Sequence, residues 1–399
     1  MVPKGWQKSQ VSDICKLQNG NGFKPHQWDT KGLPIIRIQN LNGSDNFNYY
    51  SGEVNDKWLV ETGQLLFSWA GTKGVSFGPF VWKRERGVLN QHIYKVFAHE
   101  NVSYDWLYEA LKWVTHKIEA QAHGFKSTLV HVKKQDIDNQ SILVPPFSEQ
   151  QRIAKILSTW DNAISSTEKL IANSKQQKKA LMQQLLTGKK RLVNPETGKA
   201  FEGEWEEVTL RQLGKCITGL TYSPDDVVEK GTLVLRSSNI QDGKLSFIDN
   251  VYVSSRIKEE AVSRVGDILI CVRNGSRNLI GKSAYITEKA AGQTHGAFMT
   301  SFRGKNPEFV FQLFQTSMFY RQVNMNLGAT INSINTSDLH KFKFTIPKNA
   351  GEVSKIANTL AAADKEIELL EEKLAHLKQE KKALMQQLLT GKRRVKIAA

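Results

Sequence analysis

The chain has few cysteines, and none of them are spaced for metal binding. Its 399 residues include only Cys15, Cys216 and Cys271, which lie far apart and form no C-x-x-C motif. Such spacing is not that of a zinc site, and an odd number of distant cysteines does not indicate a disulfide framework. We therefore expect three reduced thiols in or near hydrophobic cores.

Long hydrophobic runs are also missing. No uncharged apolar run approaches the ~18 residues that a membrane-spanning helix needs. The first residues, Met1 to Lys8, lack the apolar core of a signal peptide. The sequence therefore predicts a cytoplasmic protein with no membrane partner.

Motifs of catalytic sites are not found either. The chain has no Asn-Pro-Pro-aromatic motif of an adenine methyltransferase, no F-x-G-x-G cofactor loop and no H-E-x-x-H. The nearest match to a phosphate-binding loop, Gly275 to Ser283, has five residues between its glycines where the motif requires four. Dispersed carboxylates such as Asp225 and Glu229 are interpreted as surface charge. No catalytic residue, metal site or cofactor is predicted on this chain.

Negative charge is scarce relative to positive charge. Lysine and arginine together number 55, and aspartate and glutamate 39, so the formal net charge is +16. A surplus of this size favours a polyanionic partner, with nucleic acid first and an anionic membrane surface second. The alternative at this point is a basic protein without such a partner.

One block of sequence occurs twice. The residues from Lys178 to Lys189 recur unchanged from Lys381 to Lys392, and in both places a helical pattern ends in glycine and a basic cluster. Other matches are related by similar offsets, such as Trp6 and Trp205, for which 205 − 6 = 199. Internal repeats of this kind indicate that one structural unit is written twice.

Each copy begins with a pattern typical of a mixed α/β (α+β) domain. Short strand-like runs alternate with turn residues, and one amphipathic helix is predicted in each copy. In the first copy this helix is expected between Ser103 and Gly124, and in the second between Asn306 and Gly328. The predicted divisions are 1–146 (first domain), 147–190 (long helix), 191–203 (linker), 204–347 (second domain) and 348–399 (long helix).

A long helical pattern follows each domain. The first runs from a capping box at Ser148 and Gln151 to Gly188, and the second from Asn349 to Gly391. Alternating steps of three and four residues mark a coiled-coil seam in both. We expect the two helices to pair antiparallel, which would give the chain pseudo-twofold symmetry. The apolar seam residues are Ile153, Leu157, Trp160, Ile164, Ile171, Leu181, Leu185, Ile356, Leu360, Ile367, Leu370, Leu374, Leu377, Leu384 and Leu388.

Polar and basic side chains concentrate in the loops between predicted strands, as expected of a DNA-binding surface. Arginine suits guanine and asparagine or glutamine suits adenine, while lysine and serine more often hold phosphates. The alternative for each residue is a solvated polar loop. The candidate DNA-binding residues are Arg37, Gln39, Asn40, Trp69, Thr72, Lys73, His92, Lys126, Ser127, Thr128 and His131 in the first domain, and Arg236, Ser238, Asn239, Arg273, Asn274, Ser276, Arg277, His295, Asn332, Ser333 and Asn335 in the second.

Comparison of the copies divides these candidates into two groups. The pairs that are identical in our alignment of the copies are Arg37 with Arg236, Asn40 with Asn239 and His92 with His295. We expect them to serve the scaffold or phosphates, and lone histidines of this kind are more often structural than ligands. Positions that differ, such as Gln39 and Ser238, are where two different half-sites would be read.

Duplicated and in this order, the motifs resemble those of the specificity subunit of type I restriction-modification enzymes, over nearly the whole chain. The motifs are Gly5-Trp6 and Glu204-Trp205, Gly32 to Asn40 and Gly231 to Ile240, Asn90-Gln91-His92, Val144 to Ala154, and the repeated helix end. One departure is the start of the second long helix, Ile346 to Glu352, which lacks the Pro-Pro form of the first. Two docking surfaces for partners would then differ.

The resemblance implies a DNA-recognition subunit without an active site. Two target-recognition domains would each read half of an asymmetric bipartite site in double-stranded DNA. The helices would space the domains and dock two modification (methyltransferase) subunits, with restriction (translocase/nuclease) subunits joining the complex. S-adenosylmethionine, ATP and magnesium would belong to the partner subunits only. The alternatives are a self-sufficient DNA methyltransferase or nuclease, and a coiled-coil scaffold without sequence preference.

Overall fold

The computed structural model describes residues 2–121, 128–328 and 332–396. The chain divides into two compact units, Met1–Glu168 with Glu372–Ala399, and Lys169–Glu371. Each unit contains one globular domain together with one half of each of two long helices. The predicted helix stop Gly124 and the candidate residues Lys126 and Ser127 lie outside the described residues.

The first domain consists of short strands with one principal helix. Its elements are β1 (Gln7–Gln10), α1 (Val11–Ile14), β2 (Cys15–Asn19), β3 (Leu33–Ile36), α2 (Ile38–Leu41), β4 (Tyr49–Tyr50), β5 (Leu59–Val60), β6 (Leu65–Ser68), β7 (Ala70–Thr72), β8 (Gly78–Val81), β9 (Gly87–Leu89), β10 (Ile93–Ala98), α3 (Tyr104–Gln121), β11 (Leu129–His131), α4 (Lys134–Asp138) and β12 (Ser141–Val144), followed by the long helix α5 (Phe147–Leu185).

The second domain has a similar order of elements, which bears out the predicted duplication. They are β13 (Trp205–Thr209), α6 (Leu210–Leu213), β14 (Gly214–Thr218), β15 (Val227–Val228), β16 (Thr232–Leu235), β17 (Ile240–Gln241), β18 (Lys244–Leu245), β19 (Tyr252–Val253), β20 (Ile268–Cys271), β21 (Ser283–Tyr285), β22 (Thr294–His295), β23 (Met299–Gly304), α7 (Pro307–Phe314), α8 (Ser317–Asn326), α9 (Thr336–Leu339), β24 (Lys343–Pro347) and the long helix α10 (Ala350–Leu389).

The two domains share a sheet topology. An antiparallel sheet has the strand order β2-β10-β6-β8 in the first domain and β14-β23-β20-β21 in the second. Beside it, a mixed sheet contains one parallel pair, β3 with β9 or β16 with β22. The first strand of each domain, β1 or β13, pairs with the last, β12 or β24, which leads into the long helix. The mixed α/β class is therefore confirmed.

The core of the second domain is rich in phenylalanine. Phe314 on α7 stacks on Phe319, with ring centroids 4.7 Å apart, and meets Phe302 edge-on at 5.8 Å. All three rings are fully buried. The cysteines are free thiols, as predicted, and burial raises the pKa of both Cys15 and Cys216 to about 12.

The prediction of a single helix after Asn306 is wrong, because two helices occupy that segment. α7 ends at Phe314 and α8 begins at Ser317, so the break falls at Gln315 and Thr316. The Thr316 hydroxyl accepts a hydrogen bond from the backbone nitrogen of Phe319 at 3.2 Å, which caps α8. Neither glycine nor proline marks the break, so the helical period alone did not reveal it.

The ends of the long helices match the predicted stops, but one start differs. Gly188 and Gly391 adopt φ values of 71° and 67°, the left-handed geometry of a glycine that ends a helix. The Asn349 side chain caps α10 by accepting from the backbone nitrogen of Glu352 at 3.2 Å. α5 begins at Phe147, two residues before the Glu149 start that a Ser148 cap would give, so Ser148 lies in its first turn and is not the capping residue.

Ion pairs show that the long helices run antiparallel within each unit. Nζ–carboxylate distances are 2.6 Å for Lys381–Asp161 and 2.7 Å for Lys378–Glu168 in the first unit, and 2.6 Å for Lys178–Asp364 and 2.7 Å for Lys175–Glu371 in the second. Adding 203 to the residues of α5 and subtracting it from those of α10 converts the first set into the second. The apolar seam residues are buried or half-buried along both helices.

Candidate nucleic-acid interface

Two loop segments lie side by side in the first domain and bring distant candidates together. Strand β7 pairs antiparallel with β11, so that Thr72 lies opposite Leu129. Just beyond this pair, the backbone nitrogen of Lys73 donates to the carbonyl of Thr128 at 2.9 Å. Thr72, Lys73 and Thr128 therefore share one surface, although more than 50 residues separate the two segments.

An aromatic cluster at this surface contains three of the predicted residues. The Trp69 ring lies 5.1 Å from that of His92 and 4.8 Å from that of His131, between centroids. It also stacks on Tyr94 at 6.0 Å, and its indole nitrogen donates to the carbonyl of Gln91 at 3.1 Å. These contacts hold the half-exposed Trp69 in one orientation.

A third loop reaches the same edge of the first domain because two parallel strands end there. β3 is followed by Arg37 and β9 by Asn90, whose backbone nitrogen donates to the carbonyl of Ile36 at 3.0 Å. The guanidinium of Arg37 lies 5.4 Å from the centroid of the Trp28 ring. Gln39 is exposed and donates to the carbonyl of Asn46 at 2.8 Å.

The second domain builds the equivalent surface from different side chains. Arg273 pairs with Ser333 in a single antiparallel bridge, and the backbone nitrogen of Asn274 donates to the carbonyl of Asn332 at 3.2 Å. The Asn274 amide also donates to the Ser237 hydroxyl at 3.0 Å, which ties in the loop after β16. Three predicted loops therefore meet in this domain as well.

Arg273 is supported by two neighbours. Its guanidinium carbon lies 5.7 Å from the centroid of the Phe298 ring, within the range of a cation–π contact. Its Nε atom lies 3.5 Å from the hydroxyl oxygen of Ser333. The Arg273 side chain is exposed at the surface, and so is Phe298, at 60 % of its area.

The remaining candidates of the second domain lie around this surface. Arg236 forms an ion pair of 2.9 Å with Asp249. Arg277 is exposed and donates to the carbonyl of Asn324 at 3.4 Å, on α8. Ser276 is exposed, Ser238 is half-buried, and Asn335 is exposed at the start of α9.

Two of the predicted DNA contacts are corrected because the side chains are buried. Asn40 is 2 % exposed and Asn239 is fully buried. The side-chain oxygen of each accepts a hydrogen bond from a backbone nitrogen, that of Arg37 at 3.0 Å or that of Arg236 at 2.9 Å. Each amide nitrogen donates to carbonyls of its own loop. These asparagines hold the loop that carries the arginine and cannot reach DNA from inside it.

The predicted match between His92 and His295 is also wrong. In the parallel strand pairs, Leu89 lies beside Ile36 and His295 beside Leu235, so His295 occupies the position of Leu89. His295 is 1 % exposed, and its Nε2 atom lies 3.0 Å from the carbonyl of Ile217. It is a buried structural histidine, and the prediction that it contacts DNA is corrected.

The true counterpart of His92 is Phe298, which sequence analysis missed. The backbone nitrogen of Trp69 donates to the carbonyl of His92 at 3.3 Å, and that of Val272 donates to the carbonyl of Phe298 at 3.1 Å. Both domains therefore place a ring beside the loop that follows β6 or β20. The signal was present in sequence as an offset of 298 − 92 = 206, but it was hidden by the chance recurrence of histidine at an offset of 203.

We expect stability of the second domain to fall below pH 6.5 because of His295. Burial lowers the pKa of His295 from its ordinary value of 6.5 and outweighs the hydrogen bond with the Ile217 carbonyl and the charge of Asp267, which both act to raise it. The unfolded chain then binds a proton that the folded chain does not, so stability is present above pH 6.5 and is lost as pH falls, by up to about 1.4 kcal/mol per pH unit. Unfolding free energies measured by urea titration between about pH 5 and pH 7.5 would test this.

A matched variant isolates the contribution of this histidine. His295→Leu introduces the residue that the first domain has at the same position, Leu89, so the fold is expected to tolerate it. The stability of the wild-type chain relative to that of the variant should fall as pH falls, because only the wild type loses stability through this group. Parallel pH profiles of the two proteins would contradict the assignment.

Neither a metal cluster nor a membrane-spanning helix is found in the described part of the chain. Residues 2–121, 128–328 and 332–396 contain no group of three or more His, Cys, Asp or Glu side chains that could hold a metal ion. None of the helices within these ranges is long and apolar enough to cross a membrane.

Comparison with known proteins shows the family of this chain. The sequence profile described as "Type I restriction modification DNA specificity domain" matches residues 3–175 and 202–379. The type I restriction enzyme MjaVIII specificity subunit of Methanocaldococcus jannaschii is 26 % identical, over 99 % of this chain and 94 % of its own. The EcoBI specificity subunit of Escherichia coli is 23 % identical, over 68 % of this chain and 61 % of its own.

Solved structures show the same fold. The type I restriction-modification system S subunit from M. genitalium aligns with a TM-score of 0.59 at 16 % identity, covering 100 % of this chain and 97 % of its own. A chain from a structure on complex assembly of the type I R-M system aligns with a TM-score of 0.57 at 17 % identity. Because the family profile matches both halves, this chain belongs to the type I restriction-modification DNA specificity family, whose role is recognition of DNA sequence.

Proposed function

We propose that this chain reads an asymmetric bipartite DNA site, with one half-site for each domain. The observation that carries the proposal is that both domains place loops at the same structural position, but these loops present different side chains. The first domain presents Trp69, His92 and His131, whereas the second presents Arg273, Phe298 and Ser333. Two scaffolds with the same fold and different surface chemistry are suited to two different base sequences.

We further propose that the repeated helix ends form two docking surfaces, one for each of two methyltransferase subunits. Side chains that face a core are constrained by packing, but exposed side chains that are identical in both copies need another explanation. The exposed identical residues are Lys179, Ala180, Gln183, Gln184 and Lys189 in the first copy and Lys382, Ala383, Gln386, Gln387 and Lys392 in the second. A partner that binds both copies would account for them.

The methionines of this block are unsuitable for testing the docking surface. Met385 is 3 % exposed and belongs to the core of the first unit, and Met182 is half-buried against the core of the second. Substitution of either would disturb packing. Gln183→Ala and Gln386→Ala are the better changes, because both side chains are exposed. Each should weaken binding of one methyltransferase subunit.

In this proposal the chain supplies recognition, and its partners supply the chemistry. S-adenosylmethionine would bind to the methyltransferase subunits, and ATP with magnesium to restriction subunits that join the assembled complex. The chain would then have no active site of its own. Incubation of the purified chain with S-adenosylmethionine and DNA should give no methyl transfer, and transfer in the absence of a partner would overturn this assignment.

The bipartite reading can be tested by selection from randomised DNA. The full chain, assembled with its methyltransferase subunits, would be mixed with duplexes that carry a long random segment, and the bound fraction sequenced. We expect two short conserved blocks separated by a spacer of constant length and free composition. One continuous block would contradict the division into half-sites. Bound DNA without any preferred sequence would instead indicate a scaffold.

A further inference from the structure

We propose that the second domain reads a guanine through Arg273, with Phe298 and Ser333 holding its guanidinium group in position. This inference rests on the proposed bipartite reading and makes it specific, because it names one residue and the base that it recognises. Arginine donates two parallel hydrogen bonds to the O6 and N7 atoms of guanine in the major groove, a pairing that no other base offers.

The position of Arg273 suits this role because its backbone is fixed while its side chain is exposed. It follows directly after the buried strand β20 and Val272, and its backbone pairs with that of Ser333. The neighbouring Asn274 is bound on two sides, by the carbonyl of Asn332 and the hydroxyl of Ser237. A base-reading side chain on a fixed backbone loses less conformational freedom on binding than one on a loose loop.

The side chain of Arg273 is held at one edge and available at the other. The guanidinium carbon lies over the Phe298 ring, 5.7 Å from its centroid, and the Ser333 hydroxyl lies 3.5 Å from Nε. Within the described residues, the terminal nitrogens Nη1 and Nη2 form no hydrogen bond or ion pair. These contacts leave the terminal nitrogens of the fork available to donate to a base.

The other arginines of this surface are engaged differently. Arg236 pairs with the carboxylate of Asp249 at 2.9 Å, which partly neutralises its charge. Arg277 lies beside α8 and donates to the carbonyl of Asn324 at 3.4 Å, without an aromatic support in the described structure. An exposed arginine of this kind suits a phosphate, which contributes affinity without sequence preference.

The first domain shows that the fold does not require this set of side chains. Ala70 pairs with His131 as Arg273 pairs with Ser333, so Arg273 corresponds to Ala70 and Ser333 to His131. The backbone hydrogen bonds described above match Phe298 with His92. The first domain folds with a short apolar residue where the second has its arginine. The three side chains are therefore free to serve recognition, and they lie where the two half-sites must be distinguished.

Selection from randomised duplexes tests this inference when it is repeated on variants of the full chain in its complex with methyltransferase subunits. The wild type should select guanine at one position of one half-site. Arg273→Ala should reduce the preference for guanine at that position by about 5- to 150-fold, the range for one bidentate contact. Arg273→Lys should reduce it similarly, because lysine keeps the charge and lacks the fork. Phe298→Ala should cause a smaller loss at the same position.

Arg277→Ala is the matched control, because it removes one positive charge from the same loop. It should weaken binding on every sequence and leave the guanine preference unchanged. Unaltered selection of the other half-site by each variant would show that the protein is folded. The inference is overturned if Arg273→Ala weakens all sequences equally or leaves every selected base as in the wild type. A wild type that selects no sequence would overturn the proposed function itself.

Discussion

Replacement of Arg191 by alanine should lower the unfolding free energy of the second unit by about 3 kcal/mol. The Glu352 side chain is fully buried in the first turn of α10, and Arg191 binds both of its oxygens, with 2.6 Å between Nη2 and Oε2. Without the arginine, a carboxylate would remain buried with its charge uncompensated. The helix N-terminus offsets only part of that cost.

The first unit contains the equivalent ion pair with one additional partner, which provides a control. Arg394 binds Glu149, and the indole nitrogen of Trp6 also donates to Glu149 at 3.2 Å. The indole nitrogen of Trp205, in the second unit, has no hydrogen-bond partner among the described residues. Because Glu149 would keep the Trp6 hydrogen bond, Arg394→Ala should be less damaging than Arg191→Ala.

Calorimetric unfolding of the full chain and its variants would measure this difference. Combining Trp6→Phe with Arg394→Ala removes the additional donor, and the loss that Arg394→Ala causes in the Trp6→Phe background should then approach that of Arg191→Ala. An Arg394→Ala variant that is as unstable as Arg191→Ala, with Trp6 present, would show that the indole hydrogen bond does not protect the carboxylate.

Replacement of Phe314 by alanine should destabilise the second domain by about 4 kcal/mol. The ring is fully buried among Phe302, Phe319 and Phe344, with centroids 4.7 to 6.4 Å away. Its removal would leave a cavity that these rigid rings cannot fill. Since α7 packs on the sheet that carries β20, the loop with Arg273 should lose its support as well.

The control for this change again comes from the duplication. An offset of 203 equates Phe314 with Leu111, a fully buried residue in the first domain. Phe314→Leu should therefore cost much less, about 1.5 kcal/mol. Urea denaturation measures both losses, and DNA selection should show that Phe314→Ala impairs one half-site while the other is retained. Equal losses for alanine and leucine would contradict a cavity as the cause.

Several features of the fold could be predicted from sequence because they depend on local chemistry or on periodicity. Gly188 and Gly391 end the helices in a conformation that glycine adopts without strain. The apolar positions of the seam must be buried whatever they contact. The duplication itself required only that two stretches be compared. These features do not depend on which distant segment lies beside them.

The break between α7 and α8 marks the limit of such reasoning. The apolar spacing from Phe309 to Val323 fits one continuous helix. In the structure, Thr316 caps a new helix and Phe319 turns towards Phe314. The free energy gained by packing these rings outweighs that of the backbone hydrogen bonds lost at the break. The spacing of apolar residues gives no information about the balance between these two free energies.

The sequence by itself determined the family, the two domains, the two long helices and the loops that carry the candidate residues. Only the tertiary structure decided which of those residues face solvent. Asn40 and Asn239 are polar loop residues, yet their side-chain amides form hydrogen bonds with the surrounding backbone. Polarity is a property of the residue, but the direction of its side chain depends on partners that folding brings together.

The tertiary structure also decided that His92 does not correspond to His295. The identical histidines favoured an offset of 203 between the two copies. The paired strands require an offset of 206, which makes Phe298 the counterpart of His92. Backbone hydrogen bonds define which residues are equivalent, and a sequence match does not record them. That register is what places the Phe298 ring beside Arg273 and makes the arginine the leading candidate for reading a base.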